Sequence, residues 1–199
     1  MSRTLFQSLR CLIALALALM PTVALAHSEN GVAIDFKGGF SHPIFGPDHV
    51  IAMVAVGLWG AFLGMPAIWL LPVVFPLVMA FAGALGVLGV PLPGVEIGIA
   101  LSAIALGTMV ALAARPPLWV AALLVGAFAV FHGHAHGTEL PIGADAVAFS
   151  MGFVVATGML HLAGISFGTL SRWPAGRIAV RAAGCIIAVI GMVYLYKAL

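Results

Sequence analysis

The chain has 199 residues, of which 63% are hydrophobic and only 7% charged, with mean hydropathy +1.21. Soluble domains are about 45–50% apolar, so a soluble globular fold is excluded; the 24 glycines and 12 prolines fit a membrane bundle, where both are commoner than in soluble helices. The net charge of +2 offers no basic patch for nucleic acid.

Residues 1–26 read as a cleavable signal peptide. Arg3 and Arg10 form a basic start, Cys11 to Met20 an apolar core, Pro21 breaks the helix, and Ala24-Leu25-Ala26 supplies an A-x-A cleavage pattern. An uncleaved first span is the alternative. Cleavage makes His27 the mature N-terminus and leaves six basic against six acidic residues. Cys185, inside the last apolar segment, then has no disulfide partner and is expected to be a buried small hydrophobe.

A membrane span needs about 20 apolar residues. Six segments qualify after the signal, at about 42–64, 67–90, 95–114, 117–137, 143–169 and 176–198. Proline and glycine punctuate the breaks, as in Gly64-Met65-Pro66, Pro91-Leu92-Pro93-Gly94 and Arg115-Pro116-Pro117. The expected fold is all-α: a polytopic six-transmembrane-helix bundle over residues 27–199, with short loops and no soluble domain. Arg115, Arg172, Arg177 and Arg181 share one side, which the positive-inside rule makes cytoplasmic. Both termini are then periplasmic, in a bacterial inner membrane. Gly57, Gly60, Ala61 and Gly64 in the first span are read as an ordinary smooth packing face.

Polar residues are rare in spans and tend to mark ion paths; here they converge. His42, Asp48 and His49 open the first span, and His132, His134, His136 and Glu139 close the fourth. Glu96 starts the third and Asp145 the fifth. Antiparallel alternation brings all of them to the same end, whichever way the chain is inserted. At about 100° per residue, His132, His136 and Glu139 form one stripe, while His134 faces nearly opposite. His134 is thus as readily a loop histidine as a ligand. Asp145 reads better as a helix-start charge than as a ligand. Pro47 suits the first position of a helix, which puts Asp48 and His49 in its first turn and leaves residues 42–46 as irregular backbone. Imidazole and carboxylate suit zinc, copper, iron or nickel. His161, deeper in the fifth span, is either a core histidine or a second metal station.

The His-Pro-x-x-Gly-x-Asp-His run at 42–49, the His-Gly-His-Ala-His-Gly-x-Glu run at 132–139 and the Ala156-Thr157-Gly158-Met159-Leu160-His161 run resemble the HupE/UreJ membrane proteins, which accompany hydrogenase and urease maturation. The likeness covers the mature chain from end to end. The larger nickel/cobalt transporter family has a related His-x4-Asp-His element, whereas the spacing here is His-x5-Asp-His. The resemblance implies a nickel permease, sometimes a cobalt one, importing the cation by facilitated movement. His42, Asp48, His49, Glu96, His136 and Glu139 are its metal-handling positions, and His132 joins them from the stripe geometry. It implies no enzyme and no tightly bound cofactor; the expected partners are a divalent transition-metal ion and the lipid bilayer, with a homo-oligomer compatible. The competing classes are a membrane-embedded metalloenzyme and a metal- or haem-binding membrane protein. A zinc protease would require His-Glu-x-x-His, which is missing from the sequence.

Overall fold

A computed structural model describes residues 36–140 and 143–199. The signal peptide expected at 1–26, with Cys11 and the A-x-A site, and the His27 terminus lie outside the described residues. Among the described residues the chain forms seven α-helices and a short 3-10 turn, without strands. They are α1 (Phe36–Phe45), α2 (Pro47–Leu63), α3 (Ala67–Val87), α4 (Val95–Ala111), α5 (Leu118–Thr138), α6 (Ala146–Gly168) and α7 (Pro174–Ala198), with the 3-10 turn at Thr169–Arg172 before α7.

Each of the six apolar segments becomes helical. Helices α3, α5, α6 with its 3-10 extension, and α7 are long and apolar enough to cross a membrane, and α1 with α2 makes a fifth such unit if the bent pair is one span. Helix α4 has 17 residues, about 26 Å at 1.5 Å per residue, which is at the short end of the spanning range. The chain is a multi-pass membrane protein.

The first segment departs from expectation. Residues 42–45 are helical, and α1 carries His42 and Pro43 in its last turns. The break is confined to Gly46, where the chain bends by 80°. The Gly46 N–H donates to His42 O at 3.0 Å, and its C=O accepts from Val50 N–H at 2.9 Å. Gly46 therefore ends one helix and starts the next with both backbone groups satisfied, so no longer irregular stretch is needed. Pro47 occupies the first position of α2 as expected, since it has no N–H to leave unpaired.

Helix α2 is the axis of the bundle. It packs against α1, α3, α4, α6 and α7, and His49, Met53, Val56, Leu58 and Trp59 are all buried. A helix apolar all round belongs in such a position. The other helices keep large apolar side chains such as Leu77, Phe81, Leu123 and Val189 exposed, as a lipid-facing perimeter requires. Cys185, expected to be buried, is exposed: α7 packs only through the stripe Val180, Gly184, Ile187 and Gly191, and Cys185 lies off it.

Two close helix approaches position the site. A Cβ at Gly57 would run into the backbone of His161 and Ile165, so α2 and α6 meet with almost no side chain between them. Likewise, a Cβ at Gly133 or Gly137 would strike the backbone of Met79 or Gly83 on α3. The glycines interleaved with the α5 histidines thus face α3, which turns His132 and His136 towards α2.

Candidate metal centre

The site begins where the C-terminal turn of α1, the first turn of α2 and the last turns of α5 meet. The His42 Nε2 and His136 Nδ1 atoms are 3.1 Å apart, and His136 Nε2 lies 2.9 Å from His49 Nδ1. Three imidazoles from three helices therefore form a hydrogen-bonded row. The His49 ring also stands edge-on to His132, with centroids 5.2 Å apart. One ring nitrogen or carboxylate oxygen from each member of His49, His132 and His136 falls within 4.8 Å of the others, and the same holds for His42, His136 and Glu139. Metal–nitrogen bonds of about 2.0–2.1 Å at tetrahedral angles require nitrogens roughly 3.4 Å apart, so small side-chain rotations would close either group on an ion.

The row runs from the surface inward. Glu139 stands at the rim, its Oε2 3.8 Å from His42 Nε2 and 3.7 Å from His136 Nδ1, with its side chain 56% exposed. His49 and His132 are 1% and 0% exposed. Phe153 packs against His42, His49 and His136 and walls this part of the row.

Ser102 on α4 gives the deepest imidazole a definite polarity. Its hydroxyl donates to Ile99 O at 2.6 Å, and its Oγ is 2.9 Å from His132 Nε2. The single hydroxyl proton is committed to Ile99, so His132 Nε2–H must be the donor to Ser102. A neutral imidazole with its proton on Nε2 presents a lone pair at Nδ1, and that Nδ1 is buried without a hydrogen-bond partner. His49 Nε2 is likewise buried and unpartnered. Buried polar atoms are nearly always satisfied, so two orphans in one imidazole cluster are what a ligand-receiving centre would leave. Metal-bound histidines commonly have the other ring nitrogen fixed by a neighbour; Ser102 stands in that relation to His132. Sequence reading missed Ser102 because a serine in an apolar helix carries no distinguishing pattern.

The remaining expected residues divide. Asp48, in the first turn of α2, interacts electrostatically with His42, and Asp48 and Glu139 both do so with Glu96. Asp48 and Glu96 thus stand beside the two imidazole groups rather than within them. His134 faces away, as the helical angle predicts, and its Nε2–H donates to Val90 O at 2.6 Å, tying α5 to the α3–α4 loop. Asp145 caps α6, its Oδ1 accepting from Val147 N–H and Ala148 N–H, both at 3.0 Å. His161 is buried on α6.

A family profile described as HupE / UreJ protein matches residues 15–194. The chain belongs to the HupE/UreJ family. Among its relatives, Protein HupE of Rhizobium leguminosarum bv. viciae is 43% identical over 180 residues, covering 90% of this chain and 94% of that protein. No solved structure matches the chain. Two of the three sequence runs that carried the resemblance, 42–49 and 132–139, meet in one imidazole row.

Proposed function

We propose that this HupE/UreJ protein is an uptake permease for Ni²⁺, with Co²⁺ as a second cargo, carrying the cation from periplasm to cytoplasm through the His/carboxylate end of its bundle. The observation that supports this most is the inward gradient of the imidazole row. It starts at exposed Glu139 and His42 and ends at buried His49 and His132, whose free ring nitrogens point to no protein partner.

In this reading the acidic rim of Asp48, Glu96 and Glu139 draws a hydrated divalent cation towards His42 and His136. Neutral imidazoles then replace its waters stepwise as it passes to His49 and His132. Ligands must be deprotonated to bind, and the mutual hydrogen bonds of the row suit neutral rings. A mixed set that exchanges ligands one at a time meets the demand that a conducted ion bind well enough to enter and weakly enough to leave. Entry down the membrane potential releases about 4.6 kcal/mol per 100 mV for a divalent ion, from about 2.3 per unit charge, which suffices for facilitated movement. The topology that goes with it has six spans, α4 being the short one, after a cleaved signal peptide. The termini are periplasmic and the arginine loops cytoplasmic, in the inner membrane. A link to hydrogenase or urease maturation follows from the cargo.

The test is nickel accumulation in cells expressing the chain, against empty vector and against His49→Ala and His136→Ala. Wild type should accumulate nickel, and both variants should fall to the vector background at equal membrane abundance. Wild-type accumulation at the vector level for nickel, cobalt and zinc alike would sink the transport reading.

A further inference from the structure

Beyond the imidazole row, the ring of Phe75 on α3 touches both His132 and a second histidine. Its centroid is 5.6 Å from that of His132 and 5.8 Å from that of His161. His161 is 1% exposed, and neither of its ring nitrogens has a hydrogen-bond partner. One turn earlier on the same face of α6, Thr157 is 0% exposed and its Oγ1 is also unpartnered. Residues four apart on a helix are neighbours, so three orphaned polar atoms share one buried stripe.

An imidazole always carries at least one N–H donor, and leaving a buried donor or acceptor unpaired costs about 1–3 kcal/mol. A core histidine held for packing alone would be expected to find a carbonyl, as His134 does with Val90. Threonine commonly relieves its hydroxyl by bonding the carbonyl of residue i−4, as Thr108 does with Ile104 O at 2.6 Å; Thr157 does not. His161 also has space beside it. An open groove of about 320 Å³ between α3 and α6 has His161 and Gly158 on one wall and Trp69 and Pro72 on the other, with the exposed Val154, Val155, Met159 and Leu162 along its rim.

We infer that His161 and Thr157 form an inner station for a divalent transition-metal cation, next to the His49–His132–His136 group and in contact with the Phe75 ring that also touches His132. The inference rests on the transport reading for its role, though not for its existence as a site. One imidazole and one hydroxyl, completed by water, hold a cation more weakly than three imidazoles. A weak second site holds the ion only briefly, so the ion can leave it, as a conducted ion must.

The experiment is equilibrium titration of the purified full chain with Ni²⁺ alone, paired with nickel uptake by cells. Wild type should show a tight class of binding and a weaker one. His161→Leu should remove the weaker class, leave the tight dissociation constant within about two-fold and lower uptake at least about ten-fold, the lower bound for loss of a supporting metal contact. A single class in wild type, survival of the weaker class in His161→Leu, or loss of the tight class together with it overturns the inference. Thr157→Val exchanges only a hydroxyl for a methyl and serves if His161→Leu does not fold. It should weaken the second class and slow uptake, and wild-type values for both would equally overturn the site. Wild type that binds in two classes but accumulates no metal would refute the transport reading and leave the station standing.

Discussion

At one end of the bundle, polar side chains close off backbone groups; at the other, a row of imidazoles keeps ring nitrogens open. On the arginine side, Arg181 Nε donates to Ala111 O at 2.7 Å and Trp59 Nε1 to Ala114 O at 3.0 Å, so carbonyls at the end of α4 and just beyond it gain donors. Arg177 Nε similarly reaches Ser171 O at 3.0 Å, and the Arg115 guanidinium lies over the Phe62 ring. These contacts finish helix ends, where cations are favoured. On the histidine side, imidazoles bond mainly to one another, and His49 Nε2 and His132 Nδ1 keep no protein partner. The arginine side chains are exposed, and at the histidine end Ser102, His134 and Asp145 also bond backbone, but the buried imidazole row does not. The contrast distinguishes side chains that complete a fold from side chains held ready for something that comes and goes.

That contrast can be broken experimentally, with effects that should fall in order. The largest after the ligands themselves is expected at Ser102. Ser102→Ala frees the proton position of His132 while leaving the ring in place, and should weaken Ni²⁺ binding about 10–100-fold, as loss of supporting contacts does elsewhere. Titration of the purified protein measures it, and unchanged affinity would show that His132 needs no fixed tautomer. A smaller effect is expected at His134, which lies in the same run as His132 and His136 but serves the fold. His134→Ala removes the bond to Val90 O and should cost about 0.5–1.5 kcal/mol of stability, read as a lower thermal midpoint in detergent. Nickel uptake per folded molecule should stay unchanged, and a loss as deep as that of His136→Ala would erase the distinction between the two faces of α5. The smallest effect is expected at the opposite end. Arg181→Ala should cost about 0.3–1 kcal/mol, the usual scale of a cation at a helix C-terminus, and leave Ni²⁺ affinity within measurement error. A change in affinity there would mean that the two ends are coupled through α4.

Much of the candidate site was legible before any tertiary contact. The facing of His132 and His136, and the turning away of His134, follow from angular spacing on one helix. Asp145 as a cap follows from a carboxylate before an apolar run. Residues 42–46 read as irregular because the regular helix is expected to start at Pro47. Pro43 is accommodated inside α1, and the chain bends at Gly46 alone. Ser102, Thr157 and Phe75 were not legible as a group. They lie on α4, α6 and α3, and what unites them is contact across helices rather than a motif.

The sequence by itself determined an apolar bundle of helices, the break points between them and, through alternation, the end at which histidines and carboxylates gather. Hydropathy and helical period are local properties, so they survive without knowledge of neighbours. The tertiary structure decided which imidazole meets which, that Ser102 fixes the His132 proton, and that Phe75 touches both His132 and His161. These depend on how closely helices pair, and that closeness is set by glycines such as Gly57 and Gly133 meeting the backbone of another helix. A non-local steric fit of this kind leaves no period in the chain.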